Sequence, residues 1–138
     1  MSTFILVFKE IELEKSVISL FDNRIVKIRF KDGVDFVLED AVIANQTLYD
    51  LAEGKSYLSL VDSINVRGQI SKAAMEHFAK DSLTKGVRVA EAIVVDSLHN
   101  RILANFYLKF TKSHNPVKVF SDMDKAIDWL LEKYQKNG

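Results

Sequence analysis

The sequence predicts a mixed α/β fold, a sheet of four to six strands with about four helices mainly on one face. Three observations carry this expectation. The first thirty or so residues alternate apolar and charged side chains, the signature of half-buried strands. From Leu38 the apolar spacing lengthens to that of a helix, about 3.6 residues. Beyond it, short apolar runs and amphipathic stretches take turns to the end, an order that builds parallel βαβ units. At 138 residues the chain suits one domain, 1–138. One Pro and five Gly leave no linker at which to divide it.

Each element follows in order. Ile11 and Leu13 alternate with Glu10, Glu12 and Glu14, giving a strand with one buried face. Val17–Phe21 and Arg24–Phe30 are β-branched and aromatic runs joined at Asp22-Asn23, residue types that accept the left-handed backbone of a tight hairpin turn. Val26, Ile28 and Phe30 oppose Lys27, Arg29 and Lys31, so one sheet face is covered and the other wet near the start. Lys31-Asp32-Gly33 ends that strand. Leu38, Ala41, Val42, Asn45, Leu48, Tyr49 and Ala52 fall at helical spacing, with Glu39 and Asp40 in the first turn, where the dipole favours them, and Gly54 as the stop. Tyr57–Val61 reads as a buried central strand ending at Asp62, followed by a loop from Ser63 to Ile70. Ser71 caps a second helix running to about Lys80. Val87–Val95 is another strong strand, after which Asp96-Ser97 opens a third helix to about Lys112. Val117–Phe120 is the last strand. Ser121-Asp122-Met123-Asp124 then has the form of a capping box with Asp in the third place. The final helix repeats Met123, Ile127, Leu130, Leu131 and Tyr134 on one face, with Trp129 half-buried at its boundary.

Composition narrows the function. Lys+Arg and Asp+Glu both number 19, and a chain of zero net charge lacks the basic excess that binding nucleic acid requires. The absence of Cys excludes disulfides, thiolate metal sites and a Cys nucleophile. The apolar runs fall far short of the roughly 20 residues that span a bilayer, and no signal-peptide pattern opens the chain, so a cytoplasmic protein is expected. His77, His99 and His114 form no metal-ligand pattern, and no nucleophile elbow, Walker loop or dinucleotide fingerprint occurs. The expectation is therefore a non-enzyme with no metal and no cofactor.

Two features stand out. Asp62 and Asp96 each close an apolar strand before a helix, which places both along the carboxyl edge of the sheet, where open α/β folds bind ligands; the same residues also suit ordinary turn chemistry. In the third helix Leu98, Ile102, Leu103, Phe106, Tyr107 and Phe110 cover an arc of roughly 180°, wider than packing on a sheet demands. Another helix, a second copy of the chain or an apolar ligand must cover the excess.

Leu38-Glu39-Asp40-Ala41, Leu60-Val61-Asp62, Ala92-Ile93-Val94-Val95, Asn105-Phe106-Tyr107-Leu108-Lys109 and Val119-Phe120-Ser121-Asp122, followed by Ala126-Ile127-Asp128-Trp129-Leu130, resemble the STAS domain of the anti-sigma factor antagonists. The wording is similar to a branch of small bacterial proteins related to STAS and Sec14-like domains, over most of the chain from about Val17. The resemblance implies a STAS-like fold and a regulatory module that binds a protein partner of anti-sigma type. It also implies a phosphorylation candidate at Ser71, although Ile70, Lys72 and Ala73 stand where the motif has Asp, a second Ser and Gly. Asp62, Arg67, Gln69, Lys72 and Asp96 would form the ligand or partner edge beside it. The Sec14 side of the resemblance implies instead a carrier or sensor of a small apolar, lipid-like ligand. Leu103, Phe106, Tyr107 and Phe110 supply either an apolar surface or a pocket. A carrier requires a cavity beneath the third helix on the order of several hundred Å³, lined by Phe106, Phe110 and Leu130.

Overall fold

Alternating side chains make the first three strands pair as an antiparallel meander. In the computed structural model, which describes residues 7–21, 24–111 and 115–137, the chain runs β1 (Val7–Glu12), β2 (Ser16–Phe21), β3 (Ile25–Phe30), β4 (Val34–Phe36), α1 (Leu38–Leu51), β5 (Tyr57–Asp62) and β6 (Gly68–Ile70). It continues through α2 (Lys72–Lys80), α3 (Ser82–Lys85), β7 (Arg88–Val94), α4 (Leu98–Tyr107), a 3₁₀ turn (Leu108–Phe110), β8 (Val117–Phe120) and α5 (Met123–Asn137). The main sheet has six strands in the order β1-β2-β3-β5-β7-β8. Ile18 lies opposite Ile11 and Ile28 in the antiparallel part, and β5, β7 and β8 then add in parallel to β3. The rims of the sheet are β1, with a register irregularity between Val7 and Lys9, and the four-residue β8. The expected hairpin turn at Asp22-Asn23 lies outside the described residues; the strands on either side of it are antiparallel.

Side-chain parity divides the sheet between two cores. Ile18, Val26, Ile28, Ile93 and Val95 face α1, α2 and α4. Ile25, Leu58, Leu60, Ala90, Ala92 and Val94 face α5, which meets them with Ala126, Ile127 and Leu130. The helices thus lie mainly on one face, with α5 alone on the other, where alanines in β7 let it approach closely. Since α5 covers β5 and β7, the same face of β1–β3 turns polar beyond Phe21 and Ile25: Ser19 donates to Glu10 at 3.1 Å and Lys31 to Glu12 at 2.7 Å. Trp129 is half-buried at the edge of α5, its ring centroid 5.6 Å from that of Phe120.

Three local readings are corrected. The segments on either side of α1 and β5 are not plain loops: β4 and β6 pair in parallel as a separate two-stranded ribbon, Val34 opposite Gly68 and Phe36 opposite Ile70. Three-residue strands carry no readable period, and the approach is too close for a side chain. A Cβ on Gly68, whose φ is +158°, would stand 2.5 Å from the Val34 carbonyl oxygen. The last helix is capped by Asp122, which accepts from Lys125 N–H at 3.0 Å, one residue later than the Ser121 box implied. The third helix ends at Tyr107 in its 3₁₀ turn, short of Lys112.

Candidate functional site

The central parallel strands put an uncommon set of side chains on the face beneath α2 and α4. Parity aims Tyr57, Ser59 and Val61 of β5 and Glu91 and Ile93 of β7 to that side, with Ser59 and Glu91 in register, and a register shift at Val89 brings Arg88 opposite Tyr57 on the same side. A cavity of about 100 Å³ lies there. Its walls are apolar, among them Ile28, Val61, Met75, Phe78, Ile93 and Leu103. It extends along the strands from Ser59 and Glu91 to the level of Ser63 and Val95, ~13 Å at about 3.3 Å per residue. The β4–β6 ribbon lines the far end through Val34, Phe36 and the Gly68–Ile70 segment. Asn100 fixes the neighbouring loop by donating to the carbonyls of Ser63 at 3.0 Å and Val66 at 2.8 Å. His99 Nε2 sits 2.9 Å from the Gly68 carbonyl oxygen, tying α4 to the ribbon.

The inner end is polar and buried. Tyr107 OH donates to Glu91 Oε1 at 2.6 Å, and Ser59 Oγ donates to Glu91 Oε2 at 3.0 Å. Arg88 Nη1 lies 3.5 Å from Oε2, while Nη2 donates to the Phe78 carbonyl at 2.6 Å. Burial works against the Arg88 cation, and the Glu91 carboxylate is foremost among the charges that oppose this and keep it protonated. Burial pushes the Tyr57 hydroxyl up to about 12, Arg88 opposing and Glu91 adding to the shift. Tyr107 is raised well above the ordinary phenol value, first by burial and then by the Glu91 charge, so it remains a donor. The Tyr57 hydroxyl has no hydrogen-bond partner among the described residues.

The expected edge residues are dispersed by side-chain parity. Asp62 points to the α5 side, 3.2 Å from Arg29 Nη1, and accepts from Ile64 N–H at 3.0 Å. Asp96 accepts from Asn65 N–H at 3.0 and 3.2 Å. Both lie at the carboxyl edge, and both are engaged in holding its loops. Arg67, 91% exposed, pairs with Asp32 at 3.5 Å beside the mouth of the cavity, which Gln69 also lines. Lys72 is exposed in the first turn of α2. Ser71, half-buried, caps α2 by accepting from Ala74 N–H at 3.1 Å. Ser71→Ala is expected to cost about 1 kcal/mol in thermal or urea unfolding, because it orphans one helix N–H.

Helix α4 divides its apolar residues. Leu103 and Tyr107 line the cavity. Phe106 turns outward with Leu98 and Ile102, a stripe 37%, 74% and 59% exposed, respectively. Phe110 packs at the margin of the core, its ring 5.7 Å from that of Phe106. Leu130 is in the opposite core under α5. The cavity is therefore smaller than a carrier was expected to need, and its lining is not Phe106, Phe110 and Leu130. Sequence reading missed Arg88 and Glu91. The signal was present, since two charges in the otherwise apolar run Val87–Val95 must be paired or exposed.

A crystal structure of an uncharacterized protein of the DUF3478 family from Shewanella loihica, with a SpoIIAA-like fold, is similar over 94% of this chain and 98% of its own, at 19% identity and a TM-score of 0.54. The fold is thus STAS-like, of the SpoIIAA type. No curated protein matches the chain. A family model described as a domain of unknown function, DUF7793, matches residues 19–135.

Proposed function

This chain belongs to the DUF7793 family, and from that footing we propose that it is a non-enzymatic binding module, a sensor or carrier of a small molecule with an apolar body. One observation carries the reading: a cavity of about 100 Å³ with apolar walls and a few convergent polar groups at one end. For scale, a dry protein cavity of about 150 Å³ holds benzene, so this smaller one suits a short alkyl chain better than a ring. The polar groups favour binding over catalysis, because Glu91 is neutralised by Arg88 and already engaged by two hydroxyls. Mass spectrometry of small molecules released from protein purified from its own cells tests this. A compound released by the wild type and absent from Ala104→Leu, which narrows the cavity, is the expected result. Equal release from both folded proteins would reject it.

A second reading is favoured by the place of Ser71. It opens α2, the helix that supplies Met75 and Phe78 to the cavity wall, and Lys72 is exposed beside it. A phosphate there would meet free backbone N–H groups and the positive end of the helix dipole. The module would then answer to a kinase and release or engage a protein partner of anti-sigma type. Phosphopeptide analysis of the native protein, with a pull-down comparing Ser71→Asp and wild type, decides. An unmodified Ser71 with an unchanged set of partners would remove this reading.

A further inference from the structure

We infer that the cavity selects a ligand whose head donates hydrogen bonds and is not anionic, an alcohol or an amine on an apolar body. The inference rests on the cavity being a ligand site and follows from where the protons at its inner end are committed. A hydroxyl has one hydrogen to give and lone pairs to receive with. Both hydroxyl hydrogens, those of Ser59 and Tyr107, are spent on Glu91. Glu91, facing the Arg88 guanidinium, is an acceptor at both oxygens. All three side chains line the cavity, so the polar groups there offer it lone pairs and no free hydroxyl proton. Arg88 is not part of this lining; it stands behind Glu91, bound to the Phe78 carbonyl. A carboxylate head would bring more acceptors to a site of acceptors, against a buried carboxylate. A hydroxyl or ammonium head brings the proton that the site lacks.

The opposing arrangement is a carboxylate entering tail first, with its head left at the mouth beside Arg67. That guanidinium is 91% exposed and already faces Asp32, so it holds an anion only in water. The Tyr57 hydroxyl does not change the count, since it lies outside the lining of the cavity.

Titration of the wild-type protein with 1-hexanol, hexylammonium and hexanoate, followed through the methyl signals of Ile28, Val61, Ile93 and Leu103, tests the inference. Hexanol or hexylammonium is expected to bind at least tenfold tighter than hexanoate, and the better of the two names the head. Hexanoate binding within tenfold of both, or tighter, overturns the inference and leaves the cavity as a ligand site; loss of that binding in Arg67→Ala would identify the tail-first pose. If none of the three moves those methyls, the ligand-site reading fails and takes this inference with it. Glu91→Gln, where it folds, should erase the tenfold discrimination, and its persistence would reject Glu91 as the selecting group. The wild-type titrations decide whether or not that variant folds.

Discussion

Glu91→Ala is expected to destabilise the protein by about 3–5 kcal/mol, the range for removing one partner of a buried ion pair. Arg88 is buried and cannot shed its charge, and the substitution leaves its guanidinium with a neutral hydrogen-bond acceptor, the Phe78 carbonyl, in place of the adjoining carboxylate. The hydroxyls of Ser59 and Tyr107 lose their acceptor in the same step. Replacing the pair together, Arg88→Met with Glu91→Leu, should cost much less than the single change, because the penalty comes from an uncompensated charge more than from a lost attraction. Urea denaturation of the single and double variants measures both. A double variant no more stable than Glu91→Ala would mean that the pair itself, through its geometry, holds α2 to β7.

Phe36→Ala should be nearly as costly, about 3–5 kcal/mol, and should act on the cavity as well. Phe36 is 1% exposed on the short β4, edge-on to Phe30 at 5.0 Å and stacked on Phe78 at 5.6 Å. Its ring links the ribbon to α2, and its carbonyl accepts from Ser71 N–H at 2.9 Å. Truncation deprives Phe30 and Phe78 of their shared ring partner and frees one end of the ribbon. The Ser71 amide should then exchange its hydrogen faster than the amides of β5 do in the same variant. Uniform acceleration across both would show that the ribbon has no independence from the sheet.

These two residues mark where sequence reading succeeds and where it stops. Helix α1, strands β5 and β7 and the Ser71 cap are legible because their signals are local: a period, an apolar run, a hydroxyl before an amphipathic stretch. The ribbon is not, since β4 and β6 are each three residues long and pair across a separation that includes α1 and β5. Nor is the side on which α5 lies, because Ala90, Ala92 and Ala126 fit a close approach on either face until the strand parity is known. Of the cavity, α4 gave Leu103 and Tyr107 through its excess of apolar residues. Its exposed stripe at Leu98, Ile102 and Phe106 could not be separated from them by spacing alone. Asp62 and Asp96 are at the edge that their positions indicated, and what they bind there is loop backbone, a competing use that residue type cannot distinguish.

The two rims of the sheet bear on how this protein behaves at high concentration. An open sheet offers unpaired N–H and C=O groups on its outermost strands, a template on which another chain can add and seed aggregation. Here the long rim, β1, sets exposed Lys9, Glu10 and Glu12 along its length and is broken in register near Val7. The other rim, β8, is four residues long, follows Pro116 and carries exposed Lys118. Charge and irregularity on one side, and brevity on the other, deny an incoming strand a flat apolar ladder. Replacing Lys9, Glu10 and Glu12 by Gln, which removes the charges and keeps an acceptor for Ser19, should therefore shorten the lag before fibril formation and leave the unfolding midpoint nearly unchanged.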